Sequence, residues 1–86
     1  MNAKELVRRL KKGEVVSLDP KDWEALAPGF EEIGRHDTTI AGDIVLVRTP
    51  AGPAAVERPA PDRLVMRAFT DEDVMRRFVA ERMELY

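Results

Sequence analysis

A chain of 86 residues, 44% apolar and 35% charged, has the size and composition of one small globular domain with a modest core. Its 14 basic and 16 acidic side chains nearly cancel, leaving a net charge of −2 that argues against a dedicated nucleic-acid binder. The absence of cysteine excludes a disulfide framework, a thiolate metal site and a thiol nucleophile.

The opening Met1-Asn-Ala-Lys-Glu5 has no apolar signal core, and no apolar run approaches the length of a membrane span. A cytoplasmic protein with no membrane contact is expected. The first predicted element is a helix over residues 3–12. Leu6, Val7 and Leu10 form its apolar face, and Gly13 ends it. Residues 14–18 read as a short strand. Asp19 and Pro20 then open a second helix as cap and first helical residue, with Trp23, Leu26 and Ala27 on its apolar face and Pro28-Gly29 as its stop. Residues 30–33 read as a weak strand. Residues 43–48, Asp-Ile-Val-Leu-Val-Arg, are the best strand in the chain, and their unbroken apolar run predicts burial on both faces. After a loop at 49–53, residues 54–58 return as a hairpin partner, and Pro59-Ala-Pro61 breaks the pattern. Residues 63–69 alternate as a final strand. A last helix opens at Thr70, where Thr70-Asp-Glu-Asp73 resembles a capping box.

The predicted fold is therefore α+β, in the order α-β-α-β-β-β-β-α. It has a mostly antiparallel sheet of four to five strands and about three helices packed on one face, all within a single domain over residues 1–86. Glu5 to Asp19 resembles the opening helix and strand of rhodanese-like domains. That pattern is a generic helix-glycine-strand, the cysteine that carries the family's chemistry is absent, and the remaining sequence departs from it, so no family is assigned. Scarce Asn, absent Gln and abundant Arg and Glu lean toward a thermophilic source.

Polar chemistry gathers between Gly34 and Asp43. This stretch holds the single histidine, His36, and two of the four threonines. Arg35, His36, Asp37, Thr38, Thr39 and Asp43 are the candidate ligand-binding residues. Glycine N–H groups, hydroxyls and a guanidinium suit an anion, and His36 suits general-base work. The spacing matches no metal, phosphate or dinucleotide fingerprint, and the roles an active site requires are mostly unfilled. No catalytic residue, metal or cofactor is assigned, and catalysis is not the expected function.

Charge is distributed in blocks. Lys4, Arg8, Lys11 and Lys12 share a face of the first helix, whereas residues 14–32 carry Glu14, Asp19, Asp22, Glu24, Glu31 and Glu32. The basic face offers phosphate contact in principle, though a solvated helix face is its ordinary meaning. The final helix carries apolar residues over about half its circumference, more than a surface helix needs. Val74, Met75, Phe78, Val79 and Tyr86 are therefore the expected interface. The leading functional expectation is an accessory protein that acts by protein contact, self-associating as a homodimer through this helix. A protein partner is the other candidate, and nucleic acid is not expected. The alternative function is a small-molecule, anion or metal site centred on His36.

Overall fold

The computed structural model of the chain describes residues 1–36 and 43–84. Its elements are α1 (Ala3–Lys11), β1 (Val16–Leu18), α2 (Pro20–Leu26), β2 (Glu31–His36), β3 (Ile44–Thr49), β4 (Gly52–Ala60), β5 (Arg63–Ala68) and α3 (Glu72–Glu84), with a short 3₁₀ turn at Ala27–Gly29. The order is the expected α-β-α-β-β-β-β-α, and the class is α+β. All strand pairings are antiparallel, in the order β1-β5-β4-β3-β2. Strands β2 to β5 thus form a meander, and β1 adds beside β5 at the opposite edge from β2.

The helix starts are side-chain capped. Asn2 Oδ1 accepts the Glu5 N–H at 2.8 Å, Asp19 Oδ1 accepts the Asp22 N–H at 2.9 Å, and Asp71 Oδ1 accepts the Val74 N–H at 2.9 Å. The last cap is Asp71 rather than Thr70, because the helix begins one residue later than the capping-box pattern implies. Gly13, at φ +84°, ends α1 in the left-handed conformation that glycine adopts without penalty.

One expectation about the layers is corrected. The helices do not share a face. Leu6 and Leu10 of α1 and Leu26 of α2 pack with Val16, Leu18, Val47, Ala54, Val56, Leu64 and Met66 on one side of the sheet. Met75 and Val79 of α3 pack with Ile44, Leu46 and Ala55 on the other. This accounts for the unbroken apolar run of β3, whose residues alternate between two covered faces.

The strand boundaries also differ from the sequence expectation. β4 runs from Gly52 to Ala60 and takes in Pro53 and Pro59. Pro53 stands at the strand start, and Pro59 lies where the register shifts between Glu57 and Ala60, both positions where the missing N–H is tolerated. The loop expected at 49–53 contracts to a tight turn. In it Thr49 Oγ1 donates to the Gly52 carbonyl at 2.7 Å and accepts the Ala51 N–H at 3.0 Å.

Candidate functional site

The polar segment is longer in strand than its composition implies. β2 continues to His36, with Arg35 opposite Val45 and His36 opposite Ile44. Adjacent strand residues face opposite ways. Arg35 therefore lies on the α1/α2 side of the sheet and His36, partly buried, on the α3 side. Asp37, Thr38 and Thr39 lie outside the described residues.

Arg35 and Asp43 do converge. Arg35 Nη1 donates to Asp43 Oδ2 at 2.8 Å, and its Nη2 donates to Glu32 Oε1 at 2.7 Å. The hydrogen bond to Asp43, followed by the one to Glu32, raises the pKa of Arg35 above its ordinary value. The guanidinium is thus engaged by two carboxylates. Arg35 and Asp43 line a cavity of about 370 Å³ together with Trp23, Val45, Val56, Arg58 and Leu64. His36 does not reach it. His36 thus stands on the opposite side of the sheet from the Arg35–Asp43 pair, and the two do not form one site. Among the described residues, no three His, Asp or Glu side chains gather as metal ligands.

The α3 anchors divide between core and surface. Met75 is fully buried and Val79 is 3% exposed, both against the chain's own sheet, so neither has surface left for a partner. Phe78 is partly buried beside Phe69, with ring centroids 5.2 Å apart. Its ring also carries the guanidinium carbons of Arg67 and Arg82 at 4.7 and 4.9 Å from the centroid. Val74 alone of these four is exposed, at 40%, and Tyr86 lies outside the described residues. Beyond the buried seam, Phe78 is thus used within the chain, as a platform for two arginines.

A larger surface feature that combines apolar walls with charge lies on α1. A groove of about 570 Å³ is lined by Ala3, Lys4, Val7, Arg8, Lys11, Gly29, Phe30 and Pro50, and its walls are predominantly apolar. Lys4, Val7, Arg8 and Lys11 follow the i, i+3, i+4, i+7 pattern of one helical stripe. Leu6 and Leu10 form the seam that anchors α1 to the sheet, which turns this second stripe outward. Val7, grouped with the core face on sequence, belongs to the groove. Phe30 forms part of the facing wall and is stacked on Trp23, with the ring planes 10° apart and the centroids 6.2 Å apart. Arg8 has one long ion contact, 4.0 Å to Glu5, and Lys4 and Lys11 have none among the described residues. The basic stripe was legible in sequence; Phe30 and Pro50, brought to it from other parts of the chain, were not.

No described helix is long and apolar enough to cross a membrane. No family model, curated protein or solved structure matches the chain.

Proposed function

We propose that the chain is a protein-interaction module, that its contact surface is the α1 groove, and that its partner supplies an acidic amphipathic helix. The observation that carries this reading is the coincidence of an apolar-walled groove with the row Lys4, Arg8 and Lys11 along its length. At about 1.5 Å per residue, Lys4 to Lys11 spans roughly 10 Å, or two helical turns. A partner helix with carboxylates on the same repeat and apolar residues between them matches both the spacing and the wall chemistry. The groove is open rather than enclosed, which suits a segment lying in it more than a small molecule surrounded by it.

Charge selects among occupants. A symmetric dimer through this face would set Lys4, Arg8 and Lys11 against the same residues of a second copy, an arrangement of like charges. Self-association through α3 has lost Met75 and Val79 as anchors. A nucleic acid would want free aromatic faces for its bases, whereas Phe30 is already stacked on Trp23. An acidic protein segment meets none of these objections.

Trp23 is the single tryptophan and stacks on the groove wall, so its fluorescence reports occupancy. Titration with a synthetic amphipathic helix bearing Leu on one face and Glu along its flanks should give a saturable change, weakened by added salt. Affinity should fall at least about ten-fold when Lys4 and Lys11 are both changed to Glu, since each like-charge contact opposes binding. Equal binding by this variant, or a preference for single-stranded oligonucleotide over the peptide, would overturn the reading.

A further inference from the structure

On the α3 face, away from the α1 groove, one carboxylate sits among three guanidiniums. Glu57 of β4 has a side chain only 9% exposed. Its Oε1 lies 3.6 Å from Arg67 Nη2 and its Oε2 lies 2.9 Å from Arg82 Nε. The second distance is that of a hydrogen bond, but the N–H is not aligned with the oxygen. The Nε atoms of Arg67 and Arg82 are both buried without a hydrogen-bond acceptor among the described residues. Beside them a cavity of about 250 Å³ is lined by Glu57, Pro59, Arg63, Val65, Arg67 and Arg82. Arg63 is exposed and has no ion pair among the described residues.

The donor and acceptor inventory of this pocket does not balance. Each guanidinium carries five N–H donors and no acceptor, whereas a carboxylate offers about four lone-pair sites. Among the described residues, three arginines against one glutamate leave an excess charge of +2 at the cavity wall. Buried donors without partners are rare and are expected to find an acceptor. The cation–π contacts of Arg67 and Arg82 with Phe78 hold both groups in place at the cavity. Glu57 is then the intramolecular anion that keeps two of the arginines gathered.

The geometry points to a binding site for a tetrahedral oxyanion of the phosphate class, seated in the cavity between Arg63, Arg67 and Arg82 beside Glu57. Guanidinium forks match phosphate oxygens, and three of them exceed what a planar carboxylate's two oxygens can use. This site is independent of the α1 groove, since it stands on the opposite face of the sheet.

The test is titration of the intact protein with inorganic phosphate against chloride at matched ionic strength, read by calorimetry and by melting temperature. Phosphate should bind saturably and raise the melting temperature beyond chloride. Glu57→Gln should lower the melting temperature without phosphate yet bind phosphate about five-fold or more tightly, because the competing charge is gone. Phosphate should then restore part of the lost melting temperature. Arg63→Gln, at an exposed position, should leave the melting temperature unchanged and weaken phosphate binding about five-fold or more. Methyl phosphate bound as tightly as phosphate would assign the site to a phosphate group carried on a larger molecule; weaker binding would assign it to the free ion. No stabilisation beyond chloride, unaltered phosphate affinity in Arg63→Gln, or acetate binding equal to phosphate would each overturn the proposal.

Discussion

Gly52 illustrates how far single positions are dictated by the backbone around them. Its φ is +111°, and a Cβ built there would stand 2.5 Å from the Phe69 carbonyl oxygen. Substitution to alanine meets both a disfavoured conformation and a rigid obstacle. Gly52→Ala should destabilise the fold by about 1–3 kcal/mol in urea denaturation, while Gly29→Ala, with nothing within 4 Å of the built Cβ, should be close to neutral. Other residue-scale features were only partly legible in sequence. Arg35 and Asp43 were singled out together and do meet, because β2 pairs with β3 and closes the eight-residue separation between them. His36 was grouped with them and stands on the other face. The grouping rests on closeness in sequence, whereas the pairing of β2 with the strongly strand-forming β3 extends the strand to His36 and sends neighbouring side chains to opposite faces. Since Arg35, Glu32 and Asp43 are each about half exposed, their ion pairs are largely screened. Arg35→Met should therefore leave the melting temperature nearly unchanged at physiological salt.

At the scale of elements, hydrophobic period located every helix and strand, but it could not say which face of the sheet each would cover. The run Ile44 to Val47 carried the clue, since a strand apolar on both sides needs a layer on both sides. The wide apolar band of α3 invited an interface reading because its cation–π partners, Arg67 of β5 and Arg82 of α3 itself, are not recognisable as such from period alone. The seam and the outer surface of this helix should respond differently to truncation. Met75→Ala removes a fully buried side chain and should cost about 2–5 kcal/mol, whereas Val74→Ala, at an exposed site, should change stability by less than about 0.5 kcal/mol. Comparable losses at the two positions would mean that α3 does not dock on its own sheet as described. The edge strand β2 carries Glu31, Glu32 and Arg35 and a register shift between Glu32 and Gly34. Both features oppose edge-to-edge pairing with another chain.

Across the whole molecule, the two faces of the sheet present different chemistry. The α1 side offers an open apolar groove flanked by Lys4, Arg8 and Lys11, and the α3 side offers arginines gathered about a buried glutamate. Neither is visible in the net charge of −2, because acidic residues elsewhere offset them. With its apolar seams filled from within and its basic face self-repelling, the protein should sediment as a monomer at tens of micromolar. The central claim is that the groove receives an acidic amphipathic helix, and mapping backbone amide shifts during titration with the synthetic Glu/Leu helix tests it most directly. The account predicts saturable shifts concentrated at Ala3, Lys4, Val7, Lys11 and Phe30, abolished when the peptide's Glu residues are replaced by Lys. Shifts concentrated on α3 or at the edge strand β2, or the same response to the Lys-substituted peptide, would contradict it.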